Sequence, residues 1–448
     1  MWKSRVGFEL GVQELGVKCP LPLSLLATSS KMYFSLRFAT CDRTVGYPEE
    51  INSSGGESSN GVYEPDAQSH RHQFIKELPM IRRNKKAGLG KHSHGNNQFC
   101  PICFVIPPHI LREVAKNGTS DLQEWAFQTL AMSARIRGQR DILGKVTTAT
   151  ATSAGQKRRT IYDAKNNADS SSLPGTLVRG EGSPASTDVA VNEAYDSAGA
   201  TYDFYKQVYD RNSVDDQGLR LDSTVHFGQQ YDNAFWNGNQ MVYGDGDGQI
   251  FERFTKCIDV IGHELTHGVT QYEAGLRYQG EPGALNESMS DVFGSLVKQW
   301  TLKQTADKAD WLIGQGLLAP SIKGVALRSM KAPGTAYNDP VLGKDPQPAN
   351  TKDLYKGSQD NGGVHINSGI PNHAFYLAAT AIGGNAWEKA GKIWYIALRD
   401  RLRSSSNFAR AAYHTIAIAG ELYGNDSNEQ RAVKEAWKQV GVQPRAMF

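Results

Sequence analysis

The sequence predicts an α+β protein with two lobes, because its hydrophobic pattern changes near residue 258. Between residues 158 and 257, short apolar runs of strand length alternate with turn residues. From residue 258 onward, apolar residues recur at helical spacing. We therefore expect a β-rich amino lobe, a mainly helical carboxyl lobe and a cleft between them, where ligands usually bind.

Each lobe has recognisable elements. Apolar residues at helical spacing predict one long helix in the amino lobe at about 188–210. Runs rich in β-branched and aromatic residues predict strands at 223–227, 234–236 and 240–243. The carboxyl half begins with two predicted helices, one that ends near Gly275 and one over 285–300.

The first of these helices carries the motif His263-Glu264-Leu265-Thr266-His267. Histidines four positions apart on a helix present both rings on one face, one turn apart. Two imidazoles and a carboxylate on a tetrahedral Zn²⁺ leave a fourth position for water. Glu264 lies about 100° around the helix from His263, so it can reach that water without joining the ligands. The motif predicts a zinc site for hydrolysis, although a surface helix with two histidines has the same spacing.

The second helix carries two carboxylates, Glu287 and Asp291, four positions apart. Apolar residues follow at 292–297, so burying both carboxylates is costly unless positive groups face them. Zinc would face Glu287, and the free N–H of a ligand imidazole would face Asp291. A solvated acidic face is the alternative interpretation.

With these motifs, the sequence resembles the thermolysin-type metallopeptidases, the gluzincins, over roughly residues 158–445. The third histidine typical of metzincins is missing at its expected spacing. The resemblance implies a two-lobed, thermolysin-like fold with the zinc cleft between the lobes. The matching segments are Asn-Ala-Phe-Trp-Asn-Gly at 233–238, Met-Val-Tyr-Gly-Asp-Gly-Asp-Gly at 241–248, His-Glu-Leu-Thr-His at 263–267, Gly-Ala-Leu-Asn-Glu-Ser-Met-Ser-Asp at 283–291, Leu-Arg-Ser-Met at 327–330 and Asp-Asn-Gly-Gly-Val-His-Ile-Asn-Ser-Gly at 360–369.

The resemblance also implies a role for each catalytic residue. The metal ligands would be His263, His267 and Glu287, with Glu264 as general base and Asp291 in contact with a ligand histidine. An oxyanion that develops during attack on a peptide carbonyl needs hydrogen-bond donors. The family's donors match His365, in a Gly-Gly-Val-His loop and oriented by Asp360, and Tyr278.

Substrate binding is implied in the same way. Arg328 matches the family arginine that binds a substrate carbonyl. Asn233 and the backbone of Ala234 match the edge strand that pairs with an extended peptide. Hydrolysis on the amino side of a hydrophobic residue follows, because the pocket after the scissile bond would be lined by Leu327, Val260 and Phe254.

Residues 99–145 resemble the short propeptide of protealysin and its relatives, a subgroup of the same family. This implies an intramolecular inhibitor that covers the cleft and is removed on activation. Pro107 and Pro108 favour an extended strip over 105–108, because proline lacks an N–H and disfavours α conformation before it. The segment Lys157-Arg158-Arg159 is a candidate exposed cleavage site, which places the first mature residue within 143–160.

Cysteine and calcium positions add two further expectations. A Cys103 thiolate could cap the catalytic zinc, which accepts sulfur readily. Alternatively, Cys100 and Cys103 could bind a separate structural zinc together with His92 and His94. The family's double calcium site matches Asp259 and Asp310, but its other positions hold Lys298, Leu312 and Gln315. We therefore expect this calcium site to be lost.

The resulting domain prediction has a disordered extension at 1–98, the propeptide at 99–145, an amino lobe at 146–272 and a helical lobe at 273–448. A net charge of +3 implies no general nucleic-acid surface, and no apolar run reaches membrane-spanning length, so we expect neither partner. We expect a monomer that acts on proteins or peptides. Secretion is favoured despite a poor signal-peptide pattern, and a cytoplasmic zymogen is the alternative.

Three functions compete at this stage. The first is a zinc endopeptidase made as a zymogen. The second is a catalytically inactive relative that binds peptides, which would have lost Glu264 or His365, although both are present. The third is another zinc hydrolase such as an aminopeptidase, which would need an acidic anchor for the substrate's amino terminus, and no such motif is found.

Overall fold

The computed structural model describes residues 103–143 and 156–446. The predicted extension at 1–98, the second zinc site at His92, His94 and Cys100, and residues 144–155, the linker around the predicted propeptide boundary, lie outside the described residues. None of the described helices is long and apolar enough to cross a membrane.

The described residues confirm the α+β prediction, with strands concentrated before residue 245 and helices after residue 257. The strands are β1 (Cys103–Phe104), β2 (Arg159–Asp163), β3 (Thr176–Gly180), β4 (Leu221–Val225), β5 (Ala234–Trp236), β6 (Met241–Tyr243), β7 (Leu312–Ile313), β8 (Arg328–Ser329), β9 (Asn338–Asp339) and β10 (Gly343–Lys344). The helices are α1 (Pro108–Asn117), α2 (Ser120–Leu143), α3 (Val189–Tyr209), α4 (Ile258–Tyr272), α5 (Gly280–Leu302), α6 (Gln359–Asn367), α7 (Gly369–Ile382), α8 (Ala390–Ile396), α9 (Phe408–Tyr423) and α10 (Asn428–Gln439).

The main sheet has the strand order β1-β5-β6-β4-β2-β3. Strand β4 pairs in parallel with both β2 and β6, whereas β1 pairs antiparallel with β5. In that pairing, Cys103 lies opposite Trp236 and Phe104 lies opposite Phe235. The segment predicted to be the propeptide therefore supplies one edge of the sheet.

Helix boundaries follow from local chemistry. Asp188 caps α3 by accepting hydrogen bonds from the backbone N–H groups of Ala190 and Val191. Helix α5 begins at Gly280, five residues before the predicted start. Pro282 does not prevent this, because the first N–H groups of a helix have no intrahelical acceptor.

Two glycines bring α4 and α5 into close contact. A methyl group on Gly294 would lie 2.4 Å from the carbonyl oxygen of Asp259, and one on Gly262 would lie 3.1 Å from the Cα of Gly294. Side chains at these positions would force the helices apart. The absence of a Cβ at both positions thus allows α4 to present its histidines directly to α5.

The segment 103–143 packs as a part of the protein core rather than as a surface extension. The side chains of Val105, Ile106, Ile110, Leu111 and Val114 are at most 1% exposed and belong to the same apolar cluster as the centres of α4 and α5. Burial of this kind stabilises each aliphatic side chain by roughly 1.5–3 kcal/mol. The segment therefore binds the remainder of the chain tightly.

Two sequence predictions near this segment need correction. The extended strip predicted for 105–108 ends at Pro107, because Pro108 begins α1, and proline suits a first helical position. Lys157-Arg158-Arg159 is not an exposed cleavage site. Lys157 forms a 2.6 Å ion pair with Asp203, and Arg159 begins β2 with its side chain only 11% exposed.

Candidate metal and catalytic site

The two histidines of α4 are held by acceptors on α5. His263 Nδ1 lies 2.8 Å from Asp291 Oδ1, and His267 Nδ1 lies 2.8 Å from Asn286 Oδ1. Both oxygens accept hydrogen bonds, so each Nδ1 carries a proton, and the neutral form of each imidazole presents a lone pair at Nε2. The two Nε2 atoms are 3.0 Å apart. Two lone pairs at this distance repel each other unless a cation lies between them.

A carboxylate completes the donor set. Glu287 approaches His263 Nε2 at 3.5 Å and His267 Nε2 at 3.4 Å, and its side chain is 1% exposed. Ligands of a tetrahedral zinc with bonds of about 2.0–2.1 Å lie about 3.4 Å apart. Glu287 Oε2 is buried and has no hydrogen-bond partner within the described part of the chain. These residues therefore fit one zinc ion.

A thiol reaches the same point from β1. Cys103 is buried, and its sulfur lies within 4.8 Å of ligand atoms of His267 and Glu287. Ligand atoms of Glu264 also lie within 4.8 Å of those of the two histidines. The sulfur and the Glu264 carboxylate thus approach the metal position in addition to its three expected ligands.

Glu264 is placed as a proton acceptor. Its Oε2 accepts a 3.0 Å hydrogen bond from the backbone N–H of Trp236, while Oε1 is buried without a hydrogen-bond partner among the described residues. Burial raises the pKa of Glu264 to about 8. A carboxylate in this environment can take and release a proton near neutral pH.

A left-handed turn positions His365. Asp360, Asn361, Gly362 and Gly363 have φ values of 55°, 50°, 80° and 78° within α6, so this part of α6 is not regular helix. The turn brings Asp360 Oδ1 to 2.6 Å from His365 Nδ1, while Asp360 Oδ2 accepts the His365 backbone N–H at 2.8 Å. Burial disfavours the His365 imidazolium, but Asp360 and Glu287 outweigh it and raise the pKa.

Tyr278 joins this histidine to the metal ligands. Its hydroxyl lies 3.0 Å from His365 Nε2 and contacts Glu287 Oε1. Because Tyr278 and His365 are both buried at the ligands, they can direct two polar hydrogens towards the oxygen of a bound peptide carbonyl.

Arg328 contacts both the metal site and the groove. Its guanidinium donates two 2.9 Å hydrogen bonds to the oxygens of Asp291 and one of 3.3 Å to the carbonyl oxygen of Val105. Burial would raise the pKa of Asp291, but Arg328 and His263 lower it to about 2. Asp291 is therefore an anion at neutral pH.

The residues predicted to bind substrate bind the strip 103–106. The carbonyl oxygen of Ala234 accepts the Val105 N–H at 3.1 Å, and Asn233 Oδ1 accepts the Ile106 N–H at 2.9 Å. Leu327 is 2% exposed and belongs to one apolar cluster with Val105, Val260 and Phe254. The structure thus brings the predicted metal ligands, catalytic residues and hydrogen-bonding residues together around this strip, and it buries the three predicted pocket residues in the main apolar core.

Three contacts at the site were not predicted. They involve Asn286 with His267, the N–H of Trp236 with Glu264, and Asn372, which donates a 2.8 Å hydrogen bond to Asp291. Asn286 could have been considered, since it directly precedes Glu287 and a ligand imidazole needs an acceptor for its other N–H. The other two contacts depend on how distant elements fold together.

A lysine contacts the two carboxylates that match the family's calcium site. Lys298 Nζ lies 2.7 Å from Asp310 Oδ2 and 3.3 Å from both Asp259 Oδ2 and the Leu312 carbonyl oxygen. These oxygens would otherwise be suitable cation ligands. Lys298 is 8% exposed, so its ammonium supplies a buried positive charge there.

The two-lobed fold and the His-His-Glu donor set define a metallopeptidase. Residues 137–271 match the catalytic domain of thermolysin metallopeptidase, and residues 274–442 match its α-helical domain. The chain belongs to the thermolysin metallopeptidase family. It is accordingly a metalloendopeptidase, as the sequence motifs predicted.

Similar proteins include two bacterial proteases and the precursor of a third. The chain is 51% identical to an "Extracellular metalloprotease" of Pectobacterium carotovorum subsp. carotovorum, over 78% of this chain and 99% of the relative. It is 49% identical to "Protease PrtS" of Photorhabdus sp. (strain Az29), over 75% and 91%. The solved structure of the precursor of protealysin, a metalloproteinase from Serratia proteamaculans, is 55% identical, with a TM-score of 0.69, over 76% of this chain and 99% of that one.

Proposed function

We propose that this chain is the zymogen of a zinc endopeptidase that hydrolyses peptide bonds on the amino side of hydrophobic residues. The observation that carries the proposal is the 3.0 Å approach of the Nε2 atoms of His263 and His267, beside the Glu287 carboxylate. Zinc bound there supplies a Lewis acid that polarises a peptide carbonyl and increases the acidity of water.

The residues around the proposed zinc position have separate roles in the reaction. Glu264 accepts a proton from the attacking water and delivers it to the leaving amine. His365 and Tyr278 stabilise negative charge that develops on the carbonyl oxygen, and Asp360 fixes the orientation of His365. Burial of these groups excludes bulk water, which strengthens their electrostatic effect.

Substrate recognition uses the edge of β5. An extended peptide would donate hydrogen bonds to Asn233 and Ala234 and accept one from Arg328, as the strip 103–106 now does. The apolar cluster that includes Leu327 would hold a hydrophobic side chain after the scissile bond. A site that recognises the substrate's backbone and one hydrophobic side chain suits an enzyme that cleaves many sequences.

Latency follows from occupation of the same groove. Residues 103–106 take the substrate's place, and the Cys103 sulfur, within 4.8 Å of ligand atoms of His267 and Glu287, would compete with water for a zinc held there. We infer that this segment is the propeptide and that cleavage in the linker before residue 160 begins its removal. The precursor structure among its relatives supports this.

Export and calcium independence complete the proposal. We favour secretion, with a cytoplasmic zymogen as the alternative, because a relative that matches over 99% of its length is named an extracellular metalloprotease. Lys298 replaces calcium as the counter-charge of Asp259 and Asp310.

The variant Glu264→Gln tests the catalytic proposal. It should lower hydrolysis of a quenched hydrophobic peptide by about 10²–10⁴-fold, because it removes the general base. Zinc content, measured by atomic absorption, should stay near one per chain, since Glu264 is not a required ligand. The matched control is Glu435→Gln on α10, at a carboxylate 53% exposed, which should change neither quantity. Full activity in Glu264→Gln, or loss of zinc together with activity, would contradict this role.

A further inference from the structure

The peptide bond between Phe104 and Val105 lies where a substrate's scissile bond would lie. The carbonyl oxygen of Phe104 is 3.0 Å from His365 Nε2. On the far side of the bond, the Val105 N–H donates to the Ala234 carbonyl at 3.1 Å, and Arg328 donates to the Val105 carbonyl at 3.3 Å. The strip is thus bound by the groups that would hold a peptide during hydrolysis.

The proton acceptor lies beside the same bond. Trp236, which lies opposite Cys103 in the sheet, donates its backbone N–H to Glu264 Oε2. The other oxygen of Glu264 is buried and has no hydrogen-bond partner in the described residues. With zinc bound, the His365 donor at the Phe104 carbonyl and the Glu264 base held by β5 would need only a correctly placed water in addition.

The Cys103 thiol takes the place of that water. It belongs to the residue directly before Phe104, one residue back from the bond, and lies within 4.8 Å of ligand atoms of His267 and Glu287. Zinc with three protein ligands has one open position, and sulfur is a strong ligand for it. A thiolate there would both fill the open position and block the approach of water to the Phe104 carbonyl carbon.

The prolines do not explain why this bond would survive. Pro107 and Pro108 begin two residues beyond Val105, and the amide between Phe104 and Val105 is an ordinary one with its N–H in place. Their effect is on the direction of the chain, because Pro108 begins α1. Protection of the bond must come from a group nearer to it.

We propose that Phe104–Val105 is a latent self-cleavage site and that the Cys103 thiol keeps it intact. This rests on the proposed zinc endopeptidase function. In the reaction, water adds its oxygen to the Phe104 carbonyl carbon, and Glu264 takes the released proton. The C–N bond breaks as that proton reaches the Val105 nitrogen. The products are a carboxylate at Phe104 and a new amino terminus at Val105.

The test compares precursors that differ at single positions. Wild type, Cys103→Ala, Cys103→Ser and Cys257→Ala are purified, and their fragments are identified by intact mass and amino-terminal sequencing. A chain that begins at Val105 should appear in Cys103→Ala and be absent from wild type. Cys257 is the matched control, because its thiol is also buried but hydrogen-bonds to the Gln315 carbonyl, outside the site. Cys257→Ala should give no such terminus.

Two further experiments establish whether a chain cuts itself or is cut by another molecule. The double variant Cys103→Ala with Glu264→Gln should remain uncut at Val105, even when mature wild-type enzyme is added, because its own groove shields the strip. Cleavage of Cys103→Ala should proceed at a rate independent of protein concentration, as expected for a reaction within one chain. Cutting of the double variant by added enzyme would overturn the proposal.

Cobalt provides a reading that does not depend on activity. In a cobalt-substituted Glu264→Gln precursor, a Cys103 ligand should give a thiolate-to-metal charge-transfer band, which Cys103→Ala should remove and Cys257→Ala should retain. A spectrum unchanged by Cys103→Ala would show that the thiol does not occupy the metal position and would overturn the proposal.

The outcomes separate this inference from the proposed function. If Cys103→Ala yields no Val105 terminus while its matured form hydrolyses a quenched peptide in a Glu264-dependent manner, the endopeptidase stands and the latent site is wrong. If Cys103→Ala does not fold, as judged by its melting temperature and zinc content, Cys103→Ser is tested for the Val105 terminus instead. Serine also removes the thiol, and its hydroxyl is a much weaker zinc ligand. If no variant shows Glu264-dependent hydrolysis, both proposals fail.

Discussion

Asp291 accepts hydrogen bonds from three different side chains, and each contact places a part of the site. His263 uses one carboxylate oxygen, Arg328 uses both, and Asn372 uses the second. The metal ligand, the groove arginine and α7 are thereby fixed relative to one another. A change at Asp291 should affect zinc affinity although this residue is not itself a ligand.

The variant Asp291→Asn should weaken zinc binding by about 10- to 100-fold, because carboxylates that orient a ligand imidazole contribute this much. Competition with a chelator measures the zinc Kd. Asn372→Ala is the matched control, since it removes one hydrogen bond at the same carboxylate without altering the contact to His263 or the charge. Its zinc Kd should change less than that of Asp291→Asn. Equal zinc affinity in Asp291→Asn and wild type would disprove the positioning role.

At the scale of single residues, the sequence could predict those pairs of side chains whose relative positions are fixed by their spacing along one helix. His263 and His267 are one turn apart wherever α4 lies, and Glu287 and Asp291 are likewise one turn apart on α5. The contact of Asn372 with Asp291 could not be predicted in this way, because it depends on the packing of α7 against α5.

Among the elements, α4, α5 and β7 meet at Lys298. The lysine is on α5, Asp259 is on α4, and Asp310 lies two residues before the start of β7. Burial alone would lower the pKa of Lys298, but Asp259 and Asp310 outweigh it and raise the pKa. An ammonium ion that remains charged therefore joins these three elements.

The variant Lys298→Glu should destabilise the protein by about 3–5 kcal/mol in EGTA, because it leaves buried carboxylates uncompensated. Added calcium should restore much of the loss, since three carboxylates then face one point. The melting temperature measured with EGTA and with calcium checks this. Wild type and Lys308→Glu, at a lysine 76% exposed, should melt at the same temperature in both. A large fall of the wild-type melting temperature in EGTA would mean that calcium still binds.

Long elements were predicted better than short ones. Helix α3 matched its predicted span to within one residue at each end, because a long periodic pattern and capping residues mark it locally. Strand β1 could not be predicted, since two residues become a strand only through pairing with β5, more than a hundred residues later. The loop predicted at Gly-Gly-Val-His agrees with the non-helical backbone at Asp360–Gly363, but its left-handed conformation was not predicted.

At the scale of the whole molecule, the segment 103–143 is both an occupant of the cleft and a part of the core. Strand β1 closes the sheet edge that substrate would use, while α1 buries Ile110, Leu111 and Val114 in the main apolar cluster. Inhibition and stability are therefore linked. Cutting the linker alone should not expose the groove, because the contacts that hold the segment do not involve the cut.

Removal of this segment should lower the stability of the enzyme. Each of the three buried α1 side chains contributes roughly 1.5–3 kcal/mol as an upper range, so their loss should reduce the melting temperature by on the order of 5 °C or more. Differential scanning calorimetry can compare the Glu264→Gln precursor with its mature form. The mature form is obtained by brief treatment with a trace of wild-type enzyme and separation of the released segment.

A cut but unseparated Glu264→Gln sample is the control, and it should melt close to the intact precursor at high protein concentration and lower after dilution. This dependence is expected because a folded state held by a non-covalent partner is stabilised by mass action. Identical melting temperatures for the intact precursor and the separated mature form would contradict the idea that inhibitor and core are the same structure. The segment would then be a removable cover whose apolar contacts contribute little to folding.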